Sequence, residues 1–234
     1  MKSKNNIIKI ALDLSWLKFT WALWVIPIVF IVYSILRYFI KDEKFIQQGF
    51  LPFVYEPIKI FMLIVGIMSV SAFLTFYVKQ GIPRKNYFYG QALSSVLVSF
   101  SIMFVGFLIA LIEKEFVSII HMETYLGQNP SWLLLYFIYS LTVVGYFVVG
   151  WLIGAGFYRF GVLIGMGYIA LAVLVLSVID RFWAFELKGL LGKLLFFNGH
   201  EFSVVQSFLG TIMLILLVLW INRITLKKVA VKMK

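Results

Sequence analysis

The chain has 234 residues, 62% of them hydrophobic and 13% charged, with a mean hydropathy of +0.99. Soluble domains carry roughly 25% charged residues because their surface must be solvated, so this composition excludes an ordinary soluble fold. The net charge of +11 lies beside apolar runs rather than along one face, which points to orientation in an anionic membrane and away from a nucleic-acid partner. Cysteine is absent, which removes disulfides, thiolate metal sites and catalytic thiols.

Residues 5–18 come first. Ile7, Ile10, Ala11, Leu14 and Leu17 recur at helical spacing with Lys9 and Asp13 on the other face, a pattern that predicts a helix lying at the membrane surface. No small-residue cleavage site follows, so the first span is expected to stay in the mature protein. Six transmembrane helices are predicted, at 19–38, 58–77, 89–112, 132–157, 160–179 and 202–221. Each is long enough for a hydrocarbon layer of roughly 30 Å, and none shows the alternation of a barrel strand. The expected fold is all-α, one polytopic domain over 1–234.

The segment 180–201, between the fifth and sixth spans, is apolar but interrupted by charge. It is too short to cross and too greasy to float in water. Two solutions stay open: a re-entrant external hairpin with close backbone approach at Gly189 and Gly192 and with Phe196 and Phe197 in the apolar layer, or a helix lying on the surface.

Lysine and arginine set the orientation. With both ends inside, the inner segments hold thirteen of the 21 basic residues, Lys18 among them, and one acid, Asp13. The outer side keeps eight bases and nine acids, so the split is +12 against −1. Both termini are therefore expected in the cytoplasm.

No ionisable residue is expected in the middle of a span; Arg37, Lys59, Asp180 and Arg223 are placed near span ends, where long chains can snorkel. Mid-bilayer charges mark ion-coupled transporters, so that class is disfavoured. Ser94, Ser95, Ser99 and Ser101 line the third span with no base expected at their depth, and bonds to their own or a neighbouring helix are the expected use. A membrane enzyme would need external pairs such as His121 with Glu123 or His200 with Glu201. Gly189-Leu-Leu-Gly192-Lys193 lacks the glycine spacing and the Ser or Thr of a phosphate loop. Gly150 with Gly154, and Gly161 with Gly165, put small residues one turn apart for close helix approach, within the subunit or across a dimer.

Between the second and third spans lies the segment 79–90, containing Gly81-Ile82-Pro83-Arg84-Lys85-Asn86-Tyr87-Phe88. Gly81 can end one helix and Pro83 can begin a short new one. That helix would turn Arg84, Lys85 and Asn86 to water and Tyr87, Phe88 and Tyr89 to the interface. By itself the pattern also suits a plain basic turn.

A cytoplasmic Gly-Ile-x-Arg-Lys-x-x-Phe segment at this place among six spans resembles the permease subunits of ABC-2-type transporters, with Pro83 where many members carry Ser or Thr. The resemblance covers the surface helix, the six spans, the inner segment and the external hairpin. It implies that Gly81 to Phe88 form a coupling helix docking on separate cytosolic ABC ATPase subunits. ATP and magnesium would bind those subunits, and this chain would bind no cofactor and carry no catalytic site. It further implies a dimer with a second permease subunit, identical or related, in a bacterial plasma membrane, exporting a hydrophobic or amphipathic substrate such as an antimicrobial peptide. The alternative expectation is a non-transporting immunity or scaffold protein that needs no ATPase.

Overall fold

A computed structural model describes residues 2–39, 49–116, 123–124, 127–128, 131–183 and 202–227. Those residues form five long helices: α1 (Lys2–Phe39), α2 (Phe50–Lys79), α3 (Arg84–Phe116), α4 (Trp132–Phe182) and α5 (Val204–Lys227). A two-residue antiparallel pairing, Glu123–Thr124 with Gly127–Gln128, is the one strand pairing among them. All five helices are long and apolar enough to cross a bilayer, so the fold is all-α and compatible with a multi-pass membrane protein.

The surface stretch and first span expected at 5–18 and 19–38 are one uninterrupted helix, α1. Nothing before Pro27 breaks the pattern, and α3 offers a continuous partner for the face carrying Ile10, Ala11 and Leu14, all buried. A Cβ on Gly90 would strike Ile10, Ser15 reaches Ser94, and Tyr33 reaches Glu113. This constant offset means that α1 and α3 run parallel.

The 51 residues of α4 would span about 76 Å as a straight helix at 1.5 Å per residue. They do not, because Gly161 has φ 80° and ψ −168°, backbone that glycine adopts without penalty. The chain folds back there. Gly156 faces Tyr168, Gly145 faces Ile179, and Tyr146 bonds Asp180, the pairing of two antiparallel limbs. The reversal sits at Gly161 rather than between 157 and 160, since the left-handed φ there suits glycine, and Arg159 therefore falls at the first limb's end. There its guanidinium donates to the carbonyls of Ile224 and Thr225 at 3.0 and 2.6 Å, neutralising the C-terminal end of α5.

Close packing joins α2 to the first limb of α4. A Cβ at Gly150 would strike the Leu63 carbonyl, and one at Gly154 the Ile67 carbonyl, while Gly66 abuts the backbone of Phe147 and Trp151. The first glycine pair thus works within the chain. The second does not act as a pair, since Gly161 is the fold-back and Gly165 packs on Phe157. At the far end of the second limb, Ser207 donates to the Phe182 carbonyl at 2.6 Å and Trp183 Nε1 to Thr211 at 2.9 Å, so α5 returns alongside. The helices alternate in direction, and the start of α1, the 80–83 turn, Gly161 and the end of α5 all gather at one end of the bundle.

Candidate functional site

The turn end holds the segment singled out by sequence. Ile82 N–H donates to the Tyr77 carbonyl at 3.1 Å and Gly81 N–H to the Val78 carbonyl at 3.0 Å, with Gly81 at φ 80°. This is the Schellman arrangement, which satisfies the last carbonyls of α2 and needs a left-handed residue. Its hydrophobic member, Ile82, is packed against the core. Pro83 then offers its carbonyl to the amides of Asn86 and Tyr87 at 2.9 and 3.1 Å, and helix begins at Arg84.

The short helix expected here is instead the first turn of α3, which continues to Phe116. Tyr87 and Phe88 are buried, and so is Asn86, which the sequence reading turned to water. Phe88 packs on Trp151 with ring centroids 5.0 Å apart, and Arg223 lies over both Phe88 and Tyr89 at 5.3 and 4.9 Å. The reason is helical phase: once α3 starts at Arg84, positions 87, 88 and 91 share the face toward α2 and α4. Gly81, Pro83 and Lys85 stay exposed, with Ile82 and Arg84 partly so.

Behind this turn lies a polar network that the sequence reading missed. Lys18 is fully buried, not solvated at the inner surface. Its ammonium donates to Gln91 Oε1 and Ser94 Oγ, both at 3.1 Å, and stands 4.6 Å from the ring centre of Phe147. Two oxygens and one π face use the three N–H directions of a lysine. Ser15 donates to the same Ser94 oxygen at 3.1 Å.

Gln91 extends the network by donating to Ser69 Oγ at 2.5 Å, and the Tyr87 hydroxyl donates to the Ser69 main-chain carbonyl. Ser69 opens a π-helical stretch, Ser69–Leu74, inside α2. Farther down α2, the Tyr77 hydroxyl donates to Asp13 of α1. Side chains on both flanks of the turn therefore reach inward to α1 and to the π stretch.

A buried lysine 3.1 Å from a serine oxygen has the composition of a hydrolytic dyad. Here both groups are fully buried and roofed by Phe147, so the contact is architectural in this packed state. Lys18 lies at the depth of Ser94, where no base is expected from sequence, because α1 runs unbroken through residue 18 against α3. The signal that could have found it is the polar face Gln91, Ser94, Ser95 and Ser99 of α3, which demands partners once buried.

Two more polar clusters lie toward the opposite end. Glu113 accepts from Tyr33 at 2.5 Å, from Arg37, and from the Phe50 amide at 2.8 Å; it ties three helices and caps the start of α2. Lys59 and Asp180 are buried rather than snorkelling. The Tyr146 hydroxyl donates to Asp180 Oδ2 at 2.8 Å, while the Lys59 ammonium pairs with Glu56 at 2.8 Å and lies 4.4 Å from the Tyr55 ring centre.

The hairpin residues Gly189, Gly192, Phe196 and Phe197 lie outside the described residues, as do His121, His200 and Glu201. The described site thus consists of the exposed turn and the buried network behind it, in an all-helical, membrane-compatible chain. Comparison with protein-family models, curated proteins and solved structures gives no match.

Proposed function

We propose that this chain is the membrane-spanning permease subunit of an ATP-binding-cassette exporter, crossing the membrane six times with both ends in the cytoplasm. Six crossings follow if each limb of α4 counts as one. The cytoplasmic orientation follows from the basic residues of the turn end, Lys79, Arg84, Lys85, Arg159 and Lys227, under the positive-inside bias. The observation that carries the reading is the turn itself. Gly81 to Lys85 project at the bundle's end, while Tyr77 and Tyr87 on its two flanks are bonded into α1 and α2. A force applied to such a turn moves helices.

In this reading a cytosolic ATPase docks on Gly81 to Lys85, and the buried Asn86, Tyr87 and Phe88 transmit rather than touch. ATP and magnesium act on that partner. A second permease subunit completes the membrane unit, and the cargo is a hydrophobic or amphipathic molecule, with antimicrobial peptides as the first class to try. The test is affinity purification of the full chain from its native membrane. A nucleotide-hydrolysing subunit should co-purify, and Arg84→Glu combined with Lys85→Glu should lower its recovery at least about tenfold, the scale of 1.4 kcal/mol of docking energy. Recovery unchanged by the double reversal would defeat the docking role.

One observation favours a second reading, a non-transporting immunity or scaffold protein: burial of Asn86, Tyr87 and Phe88 leaves a docking strip of five residues. Consistent absence of an ATPase from the purified material would select this reading.

A further inference from the structure

The π stretch Ser69–Leu74 is the irregular part of α2, and its position is not arbitrary. A π turn accommodates one residue more than an α-helix of the same phase, so it loosens the local ladder and is frequent at functional places. The α3 helix grips its first residue twice: Gln91 Nε2 holds the Ser69 hydroxyl at 2.5 Å, and Tyr87 holds the Ser69 carbonyl. The second grip takes a carbonyl lone pair at the point where regular helix gives way. Gln91 is fixed in turn, because its oxygen accepts from the buried Lys18 of α1 at 3.1 Å. The bulge's solvent- or lipid-facing residues, Ser71 and Ala72, are exposed, so the surplus residue has room to move.

We infer that Ser69–Leu74 is a helical register switch, clamped in its π form by Gln91, Tyr87 and Lys18. Release of the clamp lets the stretch become regular α-helix. The part of α2 that follows, Thr75–Lys79, then turns by about 100° and advances by about 1.5 Å, the increments of one helical residue. Tyr77 leaves Asp13, and the exposed turn at Gly81 swings with it. The bearing of this motion on coupling rests on the permease reading; the switch and its test do not.

Because the chain has no cysteine, a pair of spin labels can be placed at Gln80→Cys in the turn and at Leu163→Cys, which is 90% exposed. Interspin distances are measured on the full chain in lipid nanodiscs. In the otherwise unaltered chain one distance population is expected. Gln91→Met, which keeps the volume and removes both bonds, should add a second population displaced by roughly 5–10 Å, given a helix about 10–12 Å across.

Deleting Ala72 in that variant removes the surplus residue and should restore the original distance. A Gln91→Met chain that keeps the single original distance overturns the switch, as does a displaced population that survives the deletion. Should Gln91→Met fail to fold, Tyr87→Phe removes one hydroxyl and reads the same way, with an unchanged distance again overturning it. These distances need no ATPase and no cargo, so a failed switch and a failed permease assignment are separate results.

Discussion

Lys18 shows how much one residue's environment depends on its neighbours. An ammonium among apolar side chains is tolerated only with its donors satisfied, and Gln91, Ser94 and the Phe147 ring supply that. Removing the ammonium lifts the cost of burying a charge but leaves the buried Gln91 Oε1 without its donor, whereas removing Gln91 strands the charge itself, the more costly loss. Lys18→Met is therefore expected to lose less stability than Gln91→Ala in a denaturant titration in detergent. Gln91→Ala is expected to lose about 2 kcal/mol, the value of a bond to a charged group, read from the same titration. The reverse order would mean that the ammonium has a second counterpart. Glu113 offers a parallel case at the opposite end, since it takes the Phe50 amide as well as Arg37. Glu113→Ala should loosen the start of α2, visible as faster amide hydrogen exchange there.

At the scale of elements, the glycines divide by what stands opposite them. Gly150 and Gly154 let α2 and the first limb of α4 approach until carbonyls limit the contact, which is how small residues drive association where lipid and side chain are equally apolar. Gly150→Val should cost at least about 1–3 kcal/mol through overpacking against backbone that cannot step aside. At Gly167 an added Cβ would meet nothing within 4 Å; Gly167→Ala should be neutral or gain up to about 1 kcal/mol of helix propensity. Thermal unfolding of the two variants in one detergent checks the contrast. The pattern Gly150-x-x-x-Gly154 was readable in the sequence, but the equal pattern at Gly161 and Gly165 had a different use, and spacing alone could not separate them. A positive φ at Gly161 comes from the need to reverse the chain, which no local pattern states. The π stretch left no mark in composition at all; it exists because α3 presents Tyr87 and Gln91 to Ser69.

Over the whole molecule, the alternation of helix directions brings the start of α1 and the end of α5 to the end that carries the 80–83 turn. Single cysteines at Lys4, Lys85 and Lys227 should therefore all react with a membrane-impermeant reagent from the same side, and a cysteine at Phe39 from the other. The basic bias predicts that the shared side is the cytoplasm. A split among the first three would contradict the bundle's topology, while a shared but external side would contradict the orientation alone.

Apolar runs of this length already specify an all-helical chain compatible with a membrane, because backbone with no water to bond has no other stable form in lipid except a closed barrel, whose alternation these runs lack. The sequence also marks the glycine and proline that end α2 and open α3, since left-handed backbone and a missing amide are local requirements. Packing between helices settles the rest: Lys18, Lys59 and Asp180 are buried, α1 runs unbroken from Lys2 to Phe39, and Tyr87 and Phe88 face inward. A side chain's surroundings are set by which helices lie against it, and those contacts join residues far apart in the chain.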